Sequence, residues 1–406
     1  MIKSMDSAVS AIRAQQTKLD VIANNIANVN TVGFKKSRTV FSTLLNSTIR
    51  TAGGPNNNRG GINPSTVGSG VQISSIDTIH TGGVTSATGR GLDLAMQGEG
   101  FFTVSDGVNT YYTRNGAVNL SPGDGSLALS NGMKLMGYRI DANGNVDKNG
   151  GLVPITVPSG TDVIVQATTG VNFTGNISSS AAVGEEISIP FSSYDSLGTK
   201  HDFNIKVTIT AAGEAEWEVT NAAGLNIGGN TGTLTFDTNG KIGNITGGPL
   251  TATPIGAEPM NIEMDFSGVS MVDKASDFSM KSQDGMPAGT VQSVSVTNGG
   301  NVTITYSNGM SRDIAALGVA FFDNPAGLLA GADSLFETTQ NSGNPVMAAG
   351  GENNKGTVVA GYLEGSNVDV SEELTDMIKT QRAYQMATKV VTTSDEILQE
   401  LTNIKR

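Results

Sequence analysis

The 406-residue sequence contains no cysteine, and aromatic residues make up only 5% of it. Without cysteine there can be no disulfide, no thiolate metal site and no thiol nucleophile. No apolar run approaches the roughly 18–20 residues that a membrane-spanning helix requires. The first residues, Met1 to Ser7, lack the apolar core of a cleavable secretion signal. We therefore expect no membrane span, and a chain that is either cytoplasmic or exported without signal cleavage.

Charge is also scarce, with 15% charged residues and a net charge of −12. The first 50 residues carry +5, residues 366–406 carry −2, and the long middle, 51–365, carries −15. Phosphate backbones are bound by basic faces, so an acidic body argues against a nucleic-acid partner. We interpret the charge as a contribution to solubility.

Both ends of the chain show helical periodicity. Apolar residues spaced by three, four or seven positions predict one helical stripe at each end. At the N-terminus they are Met5, Val9, Ile12, Leu19, Ile22, Ile26 and Val29, and at the C-terminus Leu374, Met377, Ile378, Tyr384, Val391, Leu398 and Leu401. Gly33 is expected to stop the first helix, and Asp369 or Ser371 to cap the start of the second.

The middle of the chain is rich in Gly, Thr, Ser and Val and alternates short β-forming runs with Asn-Gly turn signals. The length predicts two to four domains. We predict a multidomain, mainly β fold with paired N- and C-terminal α-helices and nested, discontinuous β domains. The predicted parts are terminal helices (1–30 and 370–406), a connector (31–75 and 356–369), an inner β domain (76–145 and 281–355) and an inserted outer β domain (146–280).

The N-terminal helix buries too little apolar surface to offset the entropy of ordering its own residues. We therefore predict that both ends are mobile in the monomer and become ordered through contacts with neighbouring subunits. The alternative is an ordinary helical pair packed on the body of the same chain.

Two terminal segments carry a family resemblance. Residues 19–38, LDVIANNIANVNTVGFKKSR, and 363–385, LEGSNVDVSEELTDMIKTQRAYQ, resemble the N- and C-terminal signatures of flagellar rod, hook and hook-associated proteins. The resemblance marks these signature residues: Asn24, Asn25, Ala27, Asn28, Gly33, Phe34, Ser366, Asn367, Val368, Asp369, Gln381 and Arg382. Within the family, the stretches 194–201, 234–240, 306–310 and 317–328 resemble hook members. Residues 98–104 and 112–116 are shared with the shorter distal rod member, which lacks an inserted 146–280 domain.

The resemblance implies a structural subunit of a flexible helical tube that transmits torque and encloses an export channel. The helices would form the inner wall, and the β domains would face outward. Implied partners are further copies of the chain, the rod protein, the hook cap, the hook–filament junction proteins and the type III export apparatus. The implied location is extracellular, on the flagellum. The pair Phe41 and Leu45 matches an export element of early substrates of that apparatus; a buried apolar pair on a connector is the alternative.

Complete catalytic, cofactor or metal motifs are absent from the sequence, and we expect no enzyme activity, cofactor or metal. His80 and His201 are each expected in a surface or turn position, and Trp217 in the core of the inserted domain. Two alternatives stay open. One is a distal rod or hook–filament junction component; the other is a secreted β-rich hydrolase using paired carboxylates such as Asp195 and Asp202.

Overall fold

The computed structural model describes residues 2–55, 60–141, 144–158, 163–221, 224–352 and 356–404. The chain forms two compact units. Unit 1 consists of Met1–Val157, Val294–Thr303 and Asp313–Arg406, and unit 2 of Pro158–Ser293 and Ile304–Arg312. The chain is mainly β with one long helix near each end, which confirms the predicted fold class.

The terminal helices, α1 (Ile2–Ala27) and α2 (Val370–Ile404), pack against each other within unit 1. Asp369 caps α2, because its Oδ1 accepts hydrogen bonds from the amides of Ser371 (2.8 Å) and Glu372 (3.3 Å). The prediction that Gly33 stops α1 is wrong, since the helix ends at Ala27. The side chain of Asn28 donates to the carbonyl of Asn24 and satisfies part of that helix end.

The strands follow each other along the chain. Numbered in chain order through both units, the strands are β1 (Ser37–Thr43), β2 (Asn46–Arg50), β3 (Ser65–Gly68), β4 (Val71–Thr78), β5 (Thr85–Ala87), β6 (Leu94–Gly98), β7 (Phe101–Ser105), β8 (Thr110–Thr113), β9 (Val118–Leu120), β10 (Leu127–Leu129), β11 (Lys134–Ile140), β12 (Val146–Asp147), β13 (Val153–Pro154), β14 (Val163–Gln166), β15 (Gly170–Ser178), β16 (Glu186–Tyr194), β17 (Lys200–Ala211), β18 (Glu214–Asn221), β19 (Asn226–Gly228), β20 (Thr231–Phe236), β21 (Ile242–Ile245), β22 (Leu250–Thr253), β23 (Met260–Val272), β24 (Ser279–Gln283), β25 (Met286–Val296), β26 (Asn301–Tyr306), β27 (Ser311–Phe321), β28 (Leu329–Ala330), β29 (Leu335–Glu337), β30 (Val346–Ala349), β31 (Gly356–Ala360) and β32 (Tyr362–Glu364). Short 3-10 turns occupy Pro325–Gly327 and Ala332–Ser334.

The β part of unit 1 is antiparallel. β1 pairs with β4 and β2 with β3, so the chain after α1 leaves and returns as a two-stranded ribbon. β27, β11, β7, β8 and β29 follow one another in the main sheet, while β31 pairs with β6 and β32 with β5. Phe101, Tyr112 and Phe336 form an aromatic core in this sheet, with Ala320 and Leu328. The last pairing, β32 with β5, holds the chain immediately before α2.

Unit 2 contains two sheets that share one core. Their strand orders are β16-β17-β18-β20-β21 and β19-β22-β23-β15-β24, and β15 runs parallel to β23. Alternate residues of β17 and β18 are buried, as expected for a sheet with one solvated face. Trp217 lies in this core beside Phe266, which itself stacks on Phe173 at 5.0 Å between ring centroids. The predicted core position of Trp217 is therefore confirmed.

Candidate functional site: the junction between the helices and the β unit

Glu364 is a buried carboxylate where the chain enters and leaves the terminal helices. Its Oε1 accepts hydrogen bonds from Lys35 Nζ (2.6 Å) and the amide of Gly83 (3.0 Å), and its Oε2 lies 3.2 Å from Arg114 Nη1. Its backbone carbonyl accepts from the amide of Gly33 at 2.8 Å. One residue thus connects the segment after α1, the segment before α2 and the β sheet. We call Lys35, Arg114 and Glu364 the junction triad.

The triad is satisfied by further hydrogen bonds, as buried charges require. Lys35 Nζ also donates to the carbonyl of Thr81 at 2.7 Å, and Arg114 Nη2 to that of Gly98 at 2.9 Å. Burial lowers the pKa of Lys35, and the negative charge of Glu364 opposes that shift. Burial likewise lowers the pKa of Arg114, again opposed by Glu364. The charge of the carboxylate therefore opposes the effect of desolvation on both cations.

His80 packs beside the triad, in the same part of unit 1. Its ring meets Phe101 and Phe336 edge-on, at 5.3 and 5.1 Å between centroids. Its ring nitrogens are buried. Burial, followed by the charges of Lys35 and Arg114, lowers its pKa to about 4. The expected surface or turn position is therefore wrong, and the imidazole is held neutral in an aromatic setting.

Asn25 joins α1 to α2 and to β1. Its side chain exchanges hydrogen bonds with the backbone of Ser37 and donates to Oε2 of Glu373 at 3.2 Å. Glu373 is buried in the first turn of α2, where a carboxylate favours the positive end of the helix dipole. This signature asparagine is therefore explained by contacts inside the chain.

Asn367 makes a similar set of side-chain hydrogen bonds just before α2. Its Oδ1 accepts from the amide of Lys36 (2.8 Å), and its Nδ2 donates to the carbonyl of Ile79 (2.8 Å). Lys36 Nζ in turn pairs with the exposed Glu372 at 2.8 Å. The side chain of Asn367 therefore replaces a strand partner at a point where strand pairing stops.

Gly33 owes its place to close backbone approach. Its φ is +70°, and an added Cβ would lie 2.6 Å from the amide nitrogen of Asn115. Only glycine tolerates both conditions. The remaining signature residues have varied surroundings: Phe34, Ser366 and Val368 are half-buried, Asn24 and Ala27 are exposed, Asn28 is half-buried beside Asn24, and Gln381 and Arg382 are exposed on α2.

The helix residues predicted to mediate assembly fall into three groups. Ile22 is buried within the chain; Met5, Leu374, Ile378, Leu398 and Leu401 are exposed; Val9, Ile12, Leu19, Ile26, Val29, Met377, Tyr384 and Val391 are half-buried. Phe41 lies in β1 and Leu45 follows it, 86% exposed. The alternative that Phe41 and Leu45 are a buried apolar pair on the connector is therefore wrong.

The carboxylate pair of the hydrolase hypothesis is not formed. Asp195 is buried and contacts His201 Nε2 at 2.9 Å, whereas Asp202 is exposed and pairs with Lys200. In the β16–β17 register Ser193 is paired with His201, and Ser192 with Asp202. Asp195 lies two positions after Ser193 and therefore on the same face as Ser193 and His201. The two aspartates thus lie on opposite faces of the hairpin. Asp195 instead accepts hydrogen bonds from the amides of Leu197 and Thr199 and fixes the turn. His201, predicted at a surface or turn, is a half-buried part of that turn's support.

Sequence reasoning did not find the junction triad. Lys35, Arg114 and Glu364 all lie in segments that carry the family resemblance, but they are 79 and 250 residues apart along the chain. The interval between Lys35 and Glu364 is 329 residues. A lysine in a polar segment gives no sign of burial, because its environment is created by the fold.

Family models match most of the chain in the expected order. The flagella basal body rod protein model matches residues 5–35, and the flagellar basal body rod FlgEFG C-terminal model matches 359–404. The flagellar hook protein FlgE/F/G D1 domain model matches 95–179, and the flagellar basal body protein FlaE D2 domain model matches 168–286. These matches define the class: an axial component of the bacterial flagellum.

Full-length relatives narrow that class. The chain is 33% identical to the flagellar hook protein FlgE of Borreliella burgdorferi over 443 residues, covering all of both chains. It is 32% identical to FlgE of Salmonella typhimurium, covering 99% of this chain and all of that one. It is also 28% identical to the flagellar basal-body rod protein FlgG of Bacillus subtilis, over all of both chains. The chain belongs to the flagellar hook protein FlgE family and is a structural subunit of the hook. In the described residues, no helix is both long and apolar enough to cross a membrane.

Proposed function

We propose that α1 and α2 of many copies form the inner wall of a helical tube, with α2 nearest its channel and the β domains outside. The observation that carries this is the surface of α2. Several large apolar residues of this helix are exposed in the single chain, and together they form two separate stripes. The N-terminal stripe is Val370, Leu374 and Ile378, and the C-terminal stripe is Met386, Val390, Ile397, Leu401 and Ile404.

The two stripes lie on different sides of the helix. Glu373, Thr380 and Ser394 are the buried residues of α2 and mark the side that packs on the same chain. At about 100° per residue, the N-terminal stripe lies roughly 120° to one side of that direction, and the C-terminal stripe roughly 90° to the other. A helix with apolar surface on two flanks supports contact with two different neighbours. Such heterologous contacts, when they do not close into a ring, build a helical array.

The junction triad gives this tube a way to transmit torque. The triad and the hydrogen bonds of Asn25 and Asn367 join both helices to the β sheet through buried polar contacts inside one unit. Force applied to the helices would reach the sheet through these contacts rather than through a flexible linker. We propose that this rigid attachment lets bending occur between subunits and not within them.

The partners follow from the same role. They are further copies of the chain, the rod protein on one side, the hook cap during growth, and the hook–filament junction proteins beyond. We propose export of the chain, without signal cleavage, by the flagellar type III apparatus to the cell exterior. The exposed Phe41 and Leu45 are available for recognition by that apparatus.

The working parts are proposed as follows. Residues 1–30 and 370–406 line the tube, 31–75 and 356–369 connect, 76–145 and 281–355 form the inner β domain, and 146–280 form the outer β domain. Observed support comes from the strand pairing of β1 with β4 and from the separate core around Trp217.

The stripes are tested in full-length chains with paired substitutions. We would compare Leu374→Ser/Ile378→Ser and Val390→Ser/Leu401→Ser with Lys389→Ser, which is exposed on α2 outside both stripes. Polymer formed from purified protein is measured by sedimentation and electron microscopy. Each stripe variant should need at least about tenfold more protein to polymerise, since each buried apolar side chain contributes roughly 1.5–3 kcal/mol. The lysine variant should polymerise normally, and normal assembly of both stripe variants would refute the proposal.

A further inference from the structure

Asn-Gly pairs recur in the β part of the chain, and each is a place where the chain can react with itself. The amide nitrogen of the glycine can attack the side-chain amide carbon of the asparagine, because glycine has no side chain to obstruct the approach. The surroundings of each asparagine decide which pair reacts. Six pairs begin at a described residue, and Asn143 begins a further one outside the described residues: the six are Asn115, Asn131, Asn149, Asn239, Asn298 and Asn308.

Four of these asparagines are held by hydrogen bonds of their own side chains. The Oδ1 atoms of Asn115, Asn131 and Asn298 each accept from a backbone amide, at 3.0, 3.2 and 3.3 Å. The side chain of Asn308 donates to two backbone carbonyls and accepts from one amide. A side chain held in this way must give up these contacts before its amide carbon can meet the next nitrogen. We call these four the held asparagines.

Asn149 and Asn239 are exposed, and neither side chain has a hydrogen-bond partner within the part of the chain that the structure describes. At Asn239 the reacting nitrogen belongs to Gly240, whose amide donates to the backbone carbonyl of Asp237 at 2.9 Å. A peptide carbonyl accepts this hydrogen bond but does not take up the proton. The turn at Asn239 therefore leaves the side chain free without helping the attack.

The turn at Asn149 supplies a carboxylate to the reacting nitrogen. The amide of Gly150 donates to Oδ1 of Asp147 at 3.2 Å, and the amide of Asn149 donates to the same oxygen at 3.0 Å. The other oxygen also lies close, because a Cβ added to Gly150 would be 2.8 Å from Oδ2. A carboxylate that accepts a hydrogen bond from the N–H group to be deprotonated is placed as a general base.

We propose that Asn149 is a site of self-catalysed deamidation, with Asp147 as the base. Asp147 takes the amide proton of Gly150 while that nitrogen forms a bond to Cγ of Asn149. The proton passes to the side-chain nitrogen, which leaves as ammonia, and a succinimide ring remains. Water then adds to either ring carbonyl and opens the ring to aspartate or isoaspartate. Water is the only co-reactant, and nothing is oxidised or reduced.

The product changes a contact within unit 1. Asn149 follows Lys148, whose Nζ pairs with Oε1 of Glu352 in the segment after β30. A new carboxylate at position 149 would compete with Glu352 for this lysine. Isoaspartate would also lengthen the main chain of the turn by a methylene group. The inference is independent of the proposed tube, because the reaction needs only one folded chain.

Mass spectrometry of the full-length chain tests the site. The protein is incubated in neutral buffer made with heavy-oxygen water, and fragment spectra assign each converted residue. We expect Asn149 to convert at least about tenfold faster than Asn239 or any held asparagine, with uptake of heavy oxygen and release of ammonia. In Asp147→Asn the side-chain oxygen can still accept the hydrogen bonds but is no longer a base. Conversion of Asn149 should then slow at least about tenfold.

Asp237→Asn is the matched control. The Asp237 carboxylate accepts from the amides of Asn239 (2.9 Å) and Lys241 (2.8 Å), whereas the amide of Gly240 donates to the backbone carbonyl. The rate at Asn239 should therefore not change. Helical circular dichroism and Trp217 fluorescence verify that each variant is folded. Equal rates at Asn149 and Asn239, an unchanged or increased rate at Asn149 in Asp147→Asn, or an equal slowing at Asn239 in the control would overturn the inference.

Discussion

The ammonium nitrogen of Lys35 lies 2.6 Å from Oε1 of Glu364, and the two side chains are only 0% and 1% exposed. This ion pair joins the segment that follows the first helix to the segment that precedes the second, across 329 positions of the chain. Arg114 brings the β sheet to the same carboxylate. Both helices of this hook subunit are therefore anchored at one buried point to the β sheet of unit 1.

Replacing Glu364 with glutamine should destabilise unit 1 by about 3–5 kcal/mol, because two buried cations lose their counterion. The matched control is Glu372→Gln, which removes the exposed partner of Lys36 and should cost about 1 kcal/mol or less. Denaturant unfolding is followed by helical circular dichroism for unit 1. Fluorescence of Trp217, the sole tryptophan of the chain, follows unit 2. An equal effect of both substitutions on the helical signal would contradict the anchoring role.

His80 should make unit 1 sensitive to mild acid. Its pKa falls from 6.5 to about 4 in the folded chain, so the unfolded state binds more protons between those values. The free energy of unfolding should therefore decrease as pH falls from 6.5 towards 4, by about 2–3 kcal/mol. In His80→Phe this part of the pH dependence should vanish, while the edge-on aromatic packing is kept. Identical pH profiles for the two proteins, measured by helical circular dichroism, would disprove the effect.

Alanine substitutions at Gly33 and Gly89 should distinguish the cost of a steric clash with neighbouring backbone from the cost of a positive φ. Both have φ near +70°, but a Cβ at Gly33 would meet Asn115, whereas at Gly89 nothing lies within 4 Å. Gly89→Ala should cost about 1 kcal/mol of strain. Gly33→Ala should cost at least about 2 kcal/mol more, because the backbone around Asn115 must move. Comparable losses of stability in the two variants would mean that the contact with Asn115 is unimportant.

Substitutions in the core of unit 2 should lower the stability of that unit without affecting unit 1. Phe266→Ala removes a buried ring stacked on Phe173 and should cost about 3–5 kcal/mol in the transition reported by Trp217. Ile255→Ala, at a fully exposed position, should change the stability by less than about 0.5 kcal/mol. The helical signal should be unaffected by either. A large loss from the change at Ile255 would mean that this exposed side chain contributes to the fold.

The sequence was most informative where a pattern is local. The spacing of Leu374, Met377 and Ile378 predicts α2, and the negative residues after Asp369 predict its start, because helix periodicity and capping depend on near neighbours. The role of Gly33 could not be read this way. A glycine just after a helix suggests a cap, but its neighbour Asn115 is supplied by the distant turn between β8 and β9.

The candidate site also contains residues that a local pattern or resemblance identifies and residues whose role depends on distant parts of the chain. Asn25 and Asn367 were singled out through family resemblance, and the structure gives each a set of hydrogen bonds. Glu364 was not, because no local pattern distinguishes a buried carboxylate from the many exposed ones. Asp195 and Asp202 make the converse point: they are close in sequence, but the register of the β16–β17 hairpin places them on opposite faces.

The most direct test of the central account is to locate the outer unit on the organelle. Antibody raised against residues 146–280 would be applied to isolated hook–basal bodies and imaged by electron microscopy. We predict label along the whole length of the short curved hook, on its outer surface. Label confined to the straight rod or to the filament junction, or no label on intact hooks, would contradict a tube with its helices inside and this domain outside.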